Sequence, residues 1–117
     1  MSRPPRRTAK SAAALHNCAP VFAALGDETR LRLIAALCVG GAKSITQLTA
    51  GTNLTRQAVT KHLAVLAGAG LARDVKVGRE RLWEFEPGQL EEARCSLEVI
   101  AAQWDHALER LKLAVER

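Results

Sequence analysis

The stretch TQLTAGTNLTRQAVTKHLAVL, Thr46 to Leu66, decides how the chain is read. It divides into two short helices joined by a tight turn. Ser44-Ile45-Thr46-Gln47 is a capping box, so the first helix should open at Ser44. Ile45 and Leu48 then point inward. Gly51-Thr52-Asn53 breaks the helical pattern, and Asn53 is expected in the left-handed conformation that Gly and Asn tolerate best. Leu54 is expected to plug the gap between the helices, and Thr55 to cap the second one.

In that second helix Ala58, Val59, Leu63 and Leu66 recur at helical spacing and form a stripe to bury. Arg56, Gln57, Thr60 and Lys61 fall on the opposite side. Such residues suit base edges and phosphates, and they crowd the first turns, the end of a recognition helix that enters a major groove. An ordinary solvated face is the plainer reading, but cap, turn and polar face agree on the sharper one.

Charge placement supports it. The chain has 117 residues and a net charge of +5. Residues 1–26 carry four basic groups and no acid. Residues 43–81 hold seven basic groups against Asp74 and Glu80, whereas residues from Glu84 onward hold eight acids against four basic groups. A basic centre beside an acidic end suits docking on a polyanion in one orientation. Aromatic content of 3%, with no Tyr, argues against stacking on single-stranded nucleic acid. No apolar run approaches a membrane span, and the N-terminus lacks a signal-peptide core, so a cytoplasmic protein with thiols at Cys18, Cys38 and Cys95 is expected.

Outward from the central stretch, residues 1–11 are Pro- and Arg-rich and read as a mobile basic arm, with residues 12–117 forming one domain. A helix is expected from Ala12 to Leu25, interrupted or begun at Pro20. Asp27 should cap the next helix, with Leu31, Ile34, Leu37 and Cys38 as its core stripe and Cys38 a buried thiol. Gly40-Gly41 ends it. Beyond the recognition helix, Gly68 and Gly70 precede two strands, Leu71–Val77 and Arg81–Phe85, joined at Val77-Gly78-Arg79-Glu80. Arg73, Lys76, Arg79 and Arg81 make this hairpin basic, as a wing reaching DNA backbone or minor groove would be. After Pro87-Gly88, residues 89–116 form one long helical pattern. Its seam of Leu90, Ala93, Leu97, Ile100, Trp104, Leu108, Leu111 and Val115 is longer than so small a domain covers. A homodimer paired through the first and last helices is expected, with Leu97, Ile100, Trp104, Leu108 and Leu111 at the interface.

The order helix, helix, helix-turn-helix, hairpin, long helix resembles ArsR/SmtB-type bacterial repressors. Three segments carry the resemblance: Leu25-Gly26-Asp27-Glu28-Thr29-Arg30-Leu31-Arg32-Leu33, Leu54-Thr55-Arg56-Gln57-Ala58-Val59-Thr60-Lys61-His62-Leu63, and Ala69-Gly70-Leu71. It covers residues 20–117. The resemblance implies a mainly α fold with a small β-hairpin, a winged helix-turn-helix, and a dimeric repressor on an inverted-repeat operator of double-stranded DNA. By position it adds His62 at the margin of the base-facing set. The family's Cys-Val-Cys-Asp-Leu metal run is replaced here by Ser44-Ile45-Thr46-Gln47-Leu48. A second family site is matched in spacing by Cys95, His106 and Glu109, but Ala93 stands at its acid position. The branch lacking the usual metal ligands, with no metal and no cofactor, is therefore expected.

Two other readings stay open. One is a sensor repressor taking a metal or thiol signal through Cys18, Cys38 or Cys95; the other is a winged helix turned to protein–protein interaction. Basic recognition and wing surfaces oppose the latter. No nucleophile–base pair, metal set or phosphate loop can be assembled, so no enzymatic activity is expected. The operator and any small-molecule or redox effector are not legible.

Overall fold

The computed structural model describes residues 15–116. The expected arm at residues 1–11 lies outside them. Residues 15–17 are helical, and the helix breaks at Cys18 before α1, Ala19–Leu25, which has Pro20 in its first turn. Proline has no N–H to continue the preceding helix but fits a helix start. Its place settles where the expected long first helix divides.

Asp27 caps α2, Glu28–Gly40, its carboxylate accepting the Arg30 N–H at 3.0 Å. Gly41, at φ +75°, ends the helix in a conformation that side chains disfavour. The core stripe of α2 differs from expectation. Leu33, Ile34 and Leu37 are buried, whereas Leu31 is 50% exposed and Cys38 is exposed. Apolar residues occupy two neighbouring stripes of this helix, so periodicity alone could not choose between them. The buried thiol is instead Cys18, whose Sγ faces Ser96 Oγ at 3.9 Å.

Lys43–Ser44 forms β1, a two-residue strand absent from the expected elements. The capping box forms as read: Ser44 Oγ accepts the Gln47 N–H, and Gln47 Oε1 accepts the Ser44 N–H at 2.9 Å. Helix α3, Ile45–Ala50, follows and buries Leu48, with Ile45 packed against the core. The turn after it corrects the expectation for Asn53, because no non-glycine among the described residues has a positive φ. Thr52 builds the turn instead. Its N–H and hydroxyl both donate to Thr49 O at 3.0 Å, and its oxygen accepts the Leu54 N–H at 3.2 Å. Leu54 is 36% exposed and so does not plug the gap; the buried residues of the two helices are Leu48, Val59, Leu63 and Leu66.

Helix α4, Arg56–Gly68, is capped by Thr55, whose Oγ accepts the Ala58 N–H at 3.1 Å. It buries Val59, Leu63 and Leu66 as expected. It ends in a Schellman motif: Gly70 N–H donates to Ala67 O, Leu71 N–H donates to Leu66 O, and Gly70 holds φ +77°. The wing is β2, Ala72–Val77, and β3, Glu80–Phe85, closed by the two-residue loop Gly78-Arg79 with Gly78 at φ +63°. Strand order is β1-β3-β2, all antiparallel, with Lys43 opposite Trp83 and Ser44 opposite Leu82. The small sheet thus fastens the start of α3 to the wing.

Helix α5, Pro87–Val115, spans 29 residues, or about 43 Å at 1.5 Å per residue. Only its first third meets the core, burying Ala93 and Ser96. None of the described helices is long and apolar enough to cross a membrane.

Candidate DNA interface

Arg56, Gln57, Thr60 and Lys61 are all exposed on α4. The Thr55 cap and the buried Val59–Leu63–Leu66 stripe fix which way they face. Arg56 is the first residue of a 13-residue helix, so it stands with the free N–H groups and the positive end of the helix dipole, a favourable place for a phosphate. Thr60 Oγ1 donates to Arg56 O at 2.8 Å. Its hydroxyl proton is thereby committed to the helix, leaving lone pairs and a methyl group outward.

Arg56 and Thr60 line one side of a groove of about 680 Å³. Ser44, Ile45, Thr46 and Gln47 of α3 and its cap line a second side, and Asp74, Glu80, Arg81 and Trp83 of the wing a third. Strand register explains that last side. Ala72 opposite Phe85, Asp74 opposite Trp83 and Lys76 opposite Arg81 share one face of the hairpin. Phe85 and Trp83 pack that face on the core, so Arg81 and Lys76 continue it outward on the side of α4.

Arg73 lies on the other face, opposite Glu84, to which it is hydrogen-bonded. Glu86 is a further 3.4 Å partner. The Glu84 bond first, then the charges of Glu84 and Glu86, raise the Arg73 pKa and stabilise its cationic form. Of the wing cations, Arg73 is therefore the one the fold turns away from α4. Arg81 pairs diagonally with Asp74 at 3.2 Å, which offsets the like charge of Lys76 directly across. Lys76, Arg79, Arg56 and Lys61 enter no ion pair among the described residues. Arg79 sits at the hairpin tip. Lys76 belongs with the exposed cations on the α4 side, which only the strand register shows.

His62 departs from its neighbours on α4. Its Nδ1 lies 3.3 Å from Arg30 Nη1 and 3.9 Å from Asp27 Oδ1, so its ring turns back toward the start of α2.

The family metal positions carry different residues here. Ser44 Oγ is taken by the α3 cap and Thr46 offers a neutral hydroxyl. Cys95 and His106 lie eleven residues apart on one helix, about 16 Å along its axis, so a common ion would need ligands from two subunits. Among the described residues no group of three or more His, Cys, Asp or Glu side chains is placed to hold a metal.

A capped helix-turn-helix with a cationic outer face, flanked by a two-stranded hairpin bearing further cations, defines a winged helix-turn-helix DNA-binding domain. Residues 25–75 match the family described as a helix-turn-helix domain. An uncharacterized HTH-type transcriptional regulator of Bacillus subtilis (strain 168), YuzN, is 35% identical over 71 residues, which cover 56% of this chain and 77% of YuzN. The structure of an ArsR-like transcriptional regulator from Rhodococcus sp. RHA1 superposes with a TM-score of 0.73 at 37% identity, covering 85% of this chain and 92% of that one. A solution structure from Mycobacterium bovis, described as a homodimeric winged helix-turn-helix DNA-binding domain, shares the fold at a TM-score of 0.60 and 23% identity, with coverage of 94% and 95%. The chain belongs to the ArsR family of winged helix-turn-helix transcriptional regulators, and its function is DNA-binding regulation of transcription.

Proposed function

We propose that this regulator is a homodimeric repressor that reads an inverted repeat through Arg56, Gln57, Thr60 and Lys61. Lys76, Arg79 and Arg81 hold the flanking backbone or minor groove. The observation that carries the reading is the groove in which the first turns of α4 and the inner face of the wing line facing walls. Repression is steric: an occupied operator excludes polymerase. Residues 12–117 act as one domain that is completed by its partner.

The dimer rests on α5. Leu97, Ile100, Leu108 and Leu111 are exposed, and Trp104 is 63% exposed. This seam runs into an apolar groove of about 460 Å³ lined by Phe22 and Leu25 of α1 and by Phe85, Leu90 and Leu97. A continuous apolar strip of that length supports a symmetric partner rather than solvent. The M. bovis domain of the same fold is described as homodimeric. Binding needs no metal in this reading, since Ser44 and Thr46 stand at the thiolate positions.

The test is selection of duplexes from random-sequence DNA by the purified protein. An enriched inverted repeat, bound by a species twice the chain mass, is the expected result. Enrichment of no sequence, with basic-face variants binding all DNA equally well, would overturn the reading.

A further inference from the structure

Arg30, on α2, has a side chain that reaches both α1 and α4. Its Nε donates to Ala24 O at 2.5 Å and its Nη2 donates to Ala23 O at 3.5 Å, satisfying carbonyls at the end of α1. Its Nη1 reaches His62 Nδ1 at 3.3 Å, on the recognition helix. A guanidinium only donates, so in this contact Nδ1 is the accepting atom. Asp27 Oδ1 closes the cluster by accepting the Arg30 N–H at 3.0 Å. The His62 side chain keeps 24% of its surface exposed, and the atom that engages Arg30 faces the protein. An orientation enforced from behind matters for base reading, because bidentate contacts tolerate little misplacement.

We infer that Arg30 and His62 form a positioning pair: His62 does not contact DNA but locks α4 onto α1 and α2, so that Arg56 and Gln57 meet the bases at a fixed angle. The inference rests on the proposed base-reading role of α4. It replaces the DNA contact that position in the helix assigns to His62. It also gives α1, which lines the apolar groove of the proposed dimer face, a polar route to the recognition helix.

The test uses the full chain, the duplex enriched by selection and a scrambled duplex, in fluorescence anisotropy. His62→Ala should weaken the enriched duplex about tenfold, the scale of one charge-assisted hydrogen bond, and leave the scrambled duplex nearly unchanged. His62→Asn, whose side-chain oxygen can stand where Nδ1 does, should restore most of the affinity. In an Arg30→Lys background, where the forked reach is gone but the charge is kept, His62→Ala should cost little more. Unchanged affinity in His62→Ala would overturn the inference. So would additive effects of Arg30→Lys and His62→Ala with no rescue by His62→Asn, which is the pattern of a direct DNA contact. Arg56→Ala, run in parallel, separates the two levels. If it spares sequence preference, base reading by α4 fails; if it relaxes preference while the Arg30 and His62 variants behave as wild type, only the positioning pair fails.

Discussion

Helices α4 and α5 are both amphipathic, but they stand differently in the single chain. The apolar stripe of α4 is fully buried at Val59, Leu63 and Leu66, and its polar face is outward. Of α5 only Ala93 and Ser96 are buried, and its apolar stripe faces outward from Leu97 to Leu111. One helix is complete and offers chemistry to a ligand. The other is unfinished, and the surface it offers is the kind a protein interior uses. In the proposed reading that difference gives α4 to DNA and α5 to a second copy of the chain.

The largest expected effect is on the unfinished side. Trp104→Glu should yield a monomer in light scattering and weaken the enriched duplex by more than about a hundredfold, since two linked half-site contacts become one. A charged seam that still dimerises and binds would remove the contrast between the helices. A second comparison sharpens it. Leu63→Ala should cost about 2–5 kcal/mol of stability by opening a cavity in a closed core, whatever the protein concentration. Leu108→Ala should instead lower the melting temperature in a way that vanishes once protein is concentrated enough to stay paired. Calorimetry over a range of protein concentrations distinguishes them.

Smaller effects divide the basic surface. Arg56→Ala and Gln57→Ala should each cost about 1–3 kcal/mol against the enriched duplex and relax preference at one or two base pairs per half-site. Arg79→Ala should weaken all duplexes alike and reduce the slope of log affinity against log salt by about one for each phosphate left without its cation. Arg73→Ala should change the slope less than Arg79→Ala, because Arg73 is paired with Glu84 and Glu86 on the far face of the wing. Titrations at several salt concentrations decide between them.

The smallest effect is a pH dependence. The Asp27 carboxyl is held below its ordinary value of 3.8, first by the Arg30 N–H, against desolvation, and then by the charges of Arg30 and His62. A depressed folded value means that its contribution is present above the ordinary value and is lost as pH falls through the lowered one. Asp27→Asn keeps a capping oxygen but cannot titrate there. The stability difference between wild type and variant should therefore shrink as the solution is acidified, which melting curves across the acid range would show.

Much of the fold was legible because local signals agreed. The capping box, the Thr55 cap, the glycines at 41, 70 and 78 and the seam of α5 each name their own structure in a few residues. The errors arose where one signal fitted two answers. In α2, Leu31 and Cys38 continue one helical stripe as well as Leu33 and Leu37 continue another, and only packing against α1 and α4 decides. Asn53 was suited to a left-handed turn, yet Thr52 supplied the hydrogen bonds that made it unnecessary. The candidate interface followed the same rule. The cations of α4 were visible from helical spacing, while the division of the wing cations between two faces needed the strand register. The turning inward of His62 needed Arg30, thirty-two residues away.

Strand β1 is two residues long, yet Ser44 belongs to it and also caps α3, and it lies opposite Leu82 in the wing. A single serine thus ties the reading head to its outrigger. If the hairpin tip meets DNA as proposed, this short joint sets its distance from α4. DNA whose minor groove does not match that offset would have to deform to meet it, so base pairs the protein never touches would count in the choice of operator.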